Sequence, residues 1–167
     1  MTERSFPRVR PDVRLRDVVE ADLPVFFEMH RDPQAGFMAA FTSKDPSDHA
    51  AFMSHWDKIR ANSENVTRSV VCEDVLVGNV VSFMHGNRRE IGYWIVREHW
   101  GRGIATAALS LLLSELTVRP LYAGAAKDNL RSIRVLKKCG FKICRYGRAF
   151  ANARGKRIDE VLLKLVG

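Results

Sequence analysis

Two hydrophobic periodicities divide the chain into predicted strands and helices. Residues 13–17 alternate apolar and charged side chains, which is the pattern of a half-buried strand. Two stretches rich in β-branched residues flank Glu73 and Asp74, and this arrangement indicates a hairpin. The same reasoning predicts the full set of strands at residues 13–17, 66–72, 75–84, 90–96, 121–126, 141–150 and 157–166.

Helical patterns occupy the longer intervening stretches, at about residues 21–30, 46–62, 104–118 and 129–139. Residues 34–44 are expected to be irregular. Asp32 and Pro33 are predicted to end the first helix, and Asp45 or Ser47 to cap the second. The order β-α-α-β-β-β-α-β-α-β-β predicts an α/β (α+β) fold, with a mixed, mostly antiparallel central sheet and helices on both faces.

Length and composition narrow the class of protein. The 167 residues suit one domain, which we place at residues 12–167 behind a polar tail at residues 1–11. No apolar run is long enough to span a membrane and no secretory signal is evident, so we expect a cytoplasmic protein without a membrane partner. Cys72, Cys139 and Cys144 form no CxxC pattern, so buried thiols are expected rather than a disulfide or a metal site.

The net charge of +8 favours anionic partners, such as a polyphosphate cofactor, nucleic acid or an acidic protein. The arginines are scattered along the chain, and a generally basic surface explains them as well. No pair of predicted strands interleaves aromatic and basic residues, and no recognition-helix pattern is present. A nucleic-acid-binding module is therefore the weaker alternative.

The strand at residues 90–96 runs into a glycine-spaced turn that opens the third helix. Unpaired N–H groups and the helix dipole attract an anion at such a helix N-terminus, and glycines let it approach the main chain. The GxGxxG of dinucleotide-binding folds and the GK[ST] of a P-loop are both absent. The pattern predicts another kind of phosphate site, formed by Trp100, Gly101, Arg102, Gly103, Ile104 and Ala105.

Two motifs resemble those of the GCN5-related N-acetyltransferases. Gly103 and Ala105 fill the last positions of that family's [Q/R]xxGx[G/A] turn, whereas Trp100 stands where Gln or Arg is usual. Residues 129–141 are similar to the family's NxxSxxxxxKxGF element. The EIGYW strand at residues 90–94 and the WGRGIA turn are similar to the RimJ/RimL-like branch, which acetylates protein N-termini. The order of predicted elements resembles the family topology over nearly the whole chain.

The resemblance implies acetyl-CoA as the co-substrate and no metal. The N–H groups of residues 100–105 would bind its pyrophosphate, and Arg102 would add charge. Ile95 and Val96 would pair with the pantetheine arm, and the N–H of Val96 or of its neighbour would face the thioester oxygen. Asn129 would bond the same arm, and Ser132 would stabilise the leaving thiolate. The tyrosine acid of many family members is replaced here by Leu136.

Glu90 is the candidate general base. The resemblance places a glutamate at the start of this strand, and a carboxylate beside an apolar strand can accept the amine proton through water. A solvated glutamate paired with Arg88 or Arg89 is an equal alternative. Glu98 and His99 are further candidates for the base, although a surface loop also accounts for them.

The resemblance places the acceptor between the first two helices and the loop that joins the last two strands. Apolar residues, most of them aromatic, and arginines there suit a peptide or small molecule with a carboxylate and suit polyamines poorly; they are Phe37, Met38, Phe41, Trp56, Arg145, Arg148, Arg154 and Arg157. An α-amine has a pKa of ~8 against ~10.4 for lysine, so a protein N-terminal or small-molecule α-amine is expected. The protein is expected to be a monomer or homodimer. A non-catalytic acyl-CoA-binding regulator with the same fold remains an alternative.

Overall fold

The computed structural model describes residues 10–167, so residues 1–9 of the predicted tail lie outside the described part. Short 3-10 turns at Glu20–Asp22 and Arg97–His99 precede the first and fourth helices. In chain order the strands and helices are β1 (Val13–Asp17), α1 (Leu23–His30), α2 (Pro33–Ala39), α3 (His49–Ala61), β2 (Val66–Cys72), β3 (Val75–His85), β4 (Arg88–Ile95), α4 (Ile104–Glu115), β5 (Leu121–Ala126), α5 (Leu130–Lys138), β6 (Lys142–Ala151) and β7 (Lys156–Leu165).

The strands form one sheet in the order β1-β2-β3-β4-β5-β7-β6. Neighbouring strands are antiparallel except β4 and β5, which run parallel and pair only at Glu90 and Tyr122. Beyond that pair the two strands diverge, and we call the gap between them the wedge. Along the wedge, one edge of β4 has no strand partner among residues 10–167.

Helices cover both faces of the sheet, as the sequence predicts. On one face α4 and α5 pack against the central strands, with Leu109, Leu112 and Leu136 fully buried among strand side chains. On the other face α1 and α3 form a second cluster around Phe26 and Trp56. The predicted mixed, mostly antiparallel sheet with helices on both faces is therefore confirmed.

Strand β4 contributes to both faces because successive side chains of a strand point in opposite directions. Ile91 and Ile95 are buried in the cluster beneath α4 and α5, and Tyr93 packs partly against the same cluster. Trp94 packs instead against the α1–α3 cluster. The same alternation places Glu90 on the α1–α3 face.

The prediction that residues 34–44 are irregular is wrong for residues 34–39, because α2 lies there, and is correct for residues 40–44. The carboxylate of Asp32 accepts hydrogen bonds from the N–H groups of Gln34 and Ala35, at 3.0 and 3.4 Å. Pro33 occupies the first helical position, where its missing N–H costs nothing. Asp32 and Pro33 therefore start a helix rather than only ending the one before.

Two smaller expectations also need correction. Asp48 caps α3, and its carboxylate accepts from the N–H of Ala51, whereas Asp45 bonds Ser47 in the preceding turn. Cys72 is buried as expected, but Cys144 is exposed. Within residues 10–167, no helix combines the length and the apolar composition needed to cross a membrane.

Candidate active site

The wedge continues into a cleft of about 330 Å³ between β4, the glycine turn, α5 and α2. The predicted site residues that line it are Ile95, Trp100, Gly101, Gly103, Ile104, Ala105, Asn129 and Ser132. Glu90, Val96 and Arg102 do not line it. The cleft also contains residues that the sequence did not single out, chiefly Tyr93 and Arg131.

The glycine turn presents main-chain donors to the cleft. Gly101 and Gly103 have φ angles of 77° and 78°, in the left-handed region that other residues rarely adopt. Within the described residues, the N–H groups of residues 101–106 donate to no protein acceptor, whereas the Trp100 N–H donates to the Arg97 carbonyl at 3.0 Å. The free donors therefore begin at Gly101, and the prediction that included the Trp100 N–H is wrong.

Trp100, the departure from the family pattern, turns its indole back toward β4. Its Nε1–H donates to the Ile95 carbonyl at 2.8 Å. The guanidinium carbon of Arg131 lies 5.6 Å from the centroid of the indole. This side chain therefore forms part of the cleft wall and occupies an acceptor on the free edge of β4.

Cationic side chains reach the cleft from α5 rather than from the turn. Arg131, Arg134 and Lys138 line it. Arg102 lies outside, with its guanidinium 3.3 Å from the Glu73 carboxylate and 2.7 Å from Nδ1 of His99. The sequence assigned the positive charge to Arg102 because it lies within the motif, whereas the fold supplies it from the neighbouring helix.

The resemblance implies that Ile95 and Val96 pair with the pantetheine arm, but of these two only Ile95 has its main chain facing the wedge. The Val96 N–H donates to the Val77 carbonyl of β3 at 2.8 Å, so it is not available to a ligand. In an antiparallel pair, main-chain groups of successive residues face opposite sides. The main chain of Ile95 and Tyr93 therefore faces the wedge, and the available N–H belongs to the neighbour of Val96.

Asn129 and Ser132 begin α5 at the edge of the cleft. The Asn129 side-chain oxygen accepts from the Ser132 N–H at 3.3 Å and caps the helix. The Ser132 hydroxyl lies 2.6 Å from the hydroxyl of Tyr93, across the wedge on β4. Burial raises the pKa of Tyr93 to about 12, although its hydrogen bond to Ser132 opposes the shift. Leu136, at the usual tyrosine position, is 1% exposed and belongs to the core.

The proximity of Tyr93 to Ser132 could have been predicted from the sequence, although not from the spacing of residues within either motif. Strand alternation places Tyr93 on the face that α5 covers, and its partner Ser132 lies in the first turn of that helix. Combining the two motifs on opposite sides of the wedge would have brought these residues together.

Glu90 lies at the closed end of the wedge, where β4 pairs with β5. Its side chain is 12% exposed, and Oε1 lies 3.3 Å from both the Arg88 guanidinium and Nδ1 of His85. Arg89 bonds Ser82 and a main-chain carbonyl instead. The pairing with Arg88 agrees with the alternative that Glu90 is an ion-paired glutamate. Its position beside the wedge also agrees with a general base, so that role stays a prediction.

The predicted acceptor wall is only partly assembled. Trp56 is 4% exposed within the α1–α3 cluster, so it cannot contact a substrate. Met38 lines the cleft, and Phe37 is exposed beneath the guanidinium of Arg154, whose carbon lies 4.1 Å from the ring centroid. Arg154 is itself held by two hydrogen bonds to the Asp128 carboxylate, at 2.7 and 2.9 Å.

The remaining arginines of that prediction divide between the two faces of the sheet. Ile158 packs against the small cluster at the end of α2, so its neighbour Arg157 points to the opposite face. Arg148 and Arg157 donate to each other's main-chain carbonyls there. Arg145 pairs with Leu162, which lies on the α2 face. Of these three arginines, Arg145 alone faces the α2 side.

An aromatic contact joins α1 to β4 beside the cleft. The ring of His30 stacks on Trp94, with centroids 4.3 Å apart and planes 15° apart. Burial, reinforced by the nearby His55, lowers the pKa of His30 to about 4. His30 is therefore neutral at physiological pH. Across residues 10–167, no group of three or more His, Cys, Asp and Glu side chains could hold a metal ion.

A family model described as an acetyltransferase (GNAT) domain matches residues 12–142. The chain therefore belongs to the GNAT acetyltransferase family, as the two motifs predicted. A curated relative, the uncharacterized N-acetyltransferase p20 of Bacillus licheniformis, is 31% identical over 83 residues. That alignment covers 47% of this chain and 47% of the relative, so the chain spans about half the length of the relative.

Two solved structures with similar folds come from the predicted branch. RimJ of Mycobacterium smegmatis, in complex with CoA-disulfide, has a TM-score of 0.77 and 22% identity, covering 93% of this chain and 82% of that one. RimL, the ribosomal L7/L12 α-N-protein acetyltransferase in complex with coenzyme A, has a TM-score of 0.79 and 16% identity, covering 96% of each chain. Both similarities support the same fold.

Proposed function

We propose that the protein is an acetyl-CoA-dependent N-acetyltransferase that transfers an acetyl group directly to a primary amine. The observation that carries this proposal is the wedge, which ends in a turn whose N–H groups at residues 101–106 have no acceptor in the described part of the chain. An elongated thioester with a pyrophosphate fits both parts, because the free edge of β4 can pair with its amides. RimJ and RimL, which share the fold, were both solved with forms of CoA.

Each part of the co-substrate has a matching group in the cleft. The N–H groups from Gly101 onward would hold the pyrophosphate, and the cations of α5 would add charge. The free edge of β4 at Ile95 would position the pantetheine arm. The cap on α5 uses only the Asn129 side-chain oxygen, so its amide N–H groups can donate to the same arm.

Glu90 is the proposed base, acting through water. Its carboxylate lies on the α1–α3 face at the closed end of the wedge, opposite the face that α5 covers. An amine approaching from that face would meet the thioester from the side away from Ser132. Transfer of the amine proton to Glu90 through water would generate the neutral nucleophile that attack on a thioester requires.

The proposed acceptor is a protein N-terminal or small-molecule α-amine. With a pKa of ~8, about a tenth of such an amine is neutral at pH 7, far more than of a lysine side chain at ~10.4. The exposed ring of Phe37 and the nearby Met38 offer apolar contacts for an acceptor, and Arg145 supplies positive charge on the α2 face. RimL, named for N-terminal acetylation of a ribosomal protein, is consistent with this choice.

The test is thiol release from acetyl-CoA across a panel of N-terminal peptides, amino acids and polyamines. With the best acceptor, Glu90→Gln is expected to lower kcat by about 10²-fold or more at pH 7, which is typical of losing a general base. The loss should shrink as rising pH deprotonates the amine in solution. Glu98→Gln, on an exposed turn, is the matched control and should retain activity. Unchanged turnover of Glu90→Gln across pH would remove Glu90 from the mechanism.

A non-catalytic acyl-CoA-binding regulator is the second candidate, because buried Leu136 stands where many family members have a tyrosine acid. Such a protein would bind acetyl-CoA in the same cleft without consuming it. Calorimetric binding of acetyl-CoA, together with no thiol release on any member of the amine panel, would favour the regulator over the enzyme.

A further inference from the structure

Two hydroxyl groups meet across the wedge, one from each side. The Tyr93 hydroxyl on β4 lies 2.6 Å from Ser132 Oγ and 3.2 Å from the Ser132 carbonyl oxygen on α5. The first distance is at the short end of the range for O–H···O hydrogen bonds. Both side chains line the cleft. The contact therefore connects a wall of the cleft to the helix that begins beside it.

The chemistry of the two groups indicates which one donates. A phenol is far more acidic than an aliphatic alcohol, so in a bond between them the phenol is the better donor. The Ser132 carbonyl lies inside α5, where Leu136, four residues on, offers its N–H in the helical pattern. The tyrosine proton is therefore best used on Ser132 Oγ, which leaves the serine proton free to point elsewhere.

We propose that Tyr93 is a positioning residue that aims the hydroxyl proton of Ser132 at the sulfur of the departing CoA. This inference rests on the proposed function, because it needs CoA in the cleft. Tyr93 fixes the Ser132 side chain, while the Asn129 cap fixes the main chain of the same residue. The serine proton is then available for donation to a group in the cleft, which Ser132 lines.

In the transfer step the amine nitrogen bonds to the acetyl carbonyl carbon, and the carbon–sulfur bond breaks. The electron pair of the broken bond goes to sulfur, giving the CoA thiolate, and the amine proton leaves through water to the base. The Ser132 hydroxyl donates a hydrogen bond to that thiolate and keeps its proton. Because the bond is stronger to the thiolate than to the thioester, it lowers the barrier.

The opposite arrangement of protons gives a different result. If Tyr93 donated to the Ser132 carbonyl, Ser132 would donate to the tyrosine oxygen, and its proton would point away from the cleft. Removing the tyrosine hydroxyl would then release the serine and improve its bond to the thiolate. The two arrangements therefore predict effects of opposite sign for Tyr93→Phe.

The decisive measurement is the pKa of the thiol of bound CoA, followed by the ultraviolet absorbance of the thiolate. The same titration with desulfo-CoA is subtracted, which removes the absorbance of the protein's own tyrosines. We expect Ser132→Ala to raise this pKa by about one unit, the size of a lost hydrogen bond to a charge. Tyr93→Phe should raise it by about half as much, and the double variant should not exceed Ser132→Ala.

Kinetics with an acceptor from the amine panel provide a second readout. Tyr93→Phe should lower kcat by about threefold to tenfold while leaving KM for acetyl-CoA within about twofold. The matched control is Tyr122→Phe, which removes the hydroxyl of another half-buried tyrosine on the opposite face of the sheet. It should leave the pKa of the bound thiol unchanged.

The outcomes distinguish failure of the positioning role of Tyr93 from failure of the proposed acetyltransferase function. If the protein binds CoA but Tyr93→Phe leaves the thiol pKa unchanged or lowers it, the positioning role is excluded while the proposed function stands. Additive effects of the two substitutions would also overturn it, since they would show independent roles. If wild-type protein binds neither CoA nor acetyl-CoA, both proposals fail together.

Discussion

The two sides of β4 are built on different principles. On the α4–α5 side, the free donors are main-chain N–H groups, at residues 101–106 and along the edge of β4. On the α1–α3 side, the buried carboxylate of Asp22 is bonded to other groups of the protein. This carboxylate accepts hydrogen bonds from the Arg16 guanidinium, the Ser69 hydroxyl and the Val19 N–H. The first side offers unpaired main-chain donors, and on the second this buried carboxylate is already engaged by groups of the protein itself.

The electrostatics of Asp22 illustrate the second principle. Burial opposes its ionisation, but its hydrogen bonds with Arg16, Val19 and Ser69 outweigh burial and lower its pKa to about 2. Such a carboxylate is a structural element that joins β1 and β2 to the turn before α1. The contrast indicates that the proposed CoA site depends on backbone geometry, whereas the proposed acceptor side depends on packed side chains.

The largest loss of stability is expected at Gly78, because this residue of β3 packs against β4, the strand that the two sides share. A Cβ added at Gly78 of β3 would lie 2.0 Å from the Trp94 carbonyl oxygen of β4, which requires the two backbones to move apart. We expect Gly78→Ala to lower the free energy of unfolding by about 3 kcal/mol and to weaken CoA binding as well. Chemical denaturation and calorimetry measure the two effects.

Gly124→Ala is the matched control, since its Cβ would meet nothing within 4 Å. Wild-type CoA affinity in a destabilised Gly78→Ala protein would show that β4 does not couple the two sides.

Acid should affect the α1–α3 side through His30. Its pKa is about 4 in the folded protein against 6.5 for the free side chain, so the unfolded chain binds more protons between these values. Stability therefore falls as pH drops from 6.5 toward 4. At pH 5 this loss is about 2 kcal/mol relative to His30→Phe, which keeps a ring against Trp94 but does not titrate.

Denaturant unfolding of both proteins at pH 7.5 and pH 5 checks this difference. The value at pH 7.5 provides the baseline for the altered packing. Parallel pH dependences for the two proteins would exclude His30 as the acid-sensitive group.

The smallest of these effects is expected from a substitution in the glycine turn and should be confined to the α4–α5 side. Gly103→Ala forces a side chain into the left-handed conformation that opens α4, at a cost of about 1–2 kcal/mol. Relaxation of the turn would misalign its donors, so CoA affinity should fall by about tenfold. Because nothing lies within 4 Å of the added Cβ, a steric clash within the protein is not the cause.

Calorimetry with CoA measures this loss, and the pH dependence of stability should remain that of the wild type. An unchanged CoA affinity would mean that the turn does not hold the pyrophosphate.

The sequence predicted the main-chain features of the α4–α5 side better than the side-chain contacts of the folded protein. Glycine spacing and strand alternation depend on local geometry, so the strands, the turn and the caps of α5 were predictable. The direction of the Arg102 side chain was not, because Glu73 and His99 approach it only in the folded chain. Burial of Trp56 likewise depends on how α1 and α3 pack. The contact between Tyr93 and Ser132 required both motifs to be placed across one wedge.

The three tryptophans of the chain fall into three separate environments. Trp56 lies in the core, 5.2 Å from Phe26 between ring centroids, Trp94 stacks on a titratable histidine, and Trp100 lines the cleft beneath Arg131. A protein that retains only Trp100 would report cleft occupancy by its intrinsic fluorescence, without any label. One that retains only Trp94 would follow the protonation of His30 in the same way.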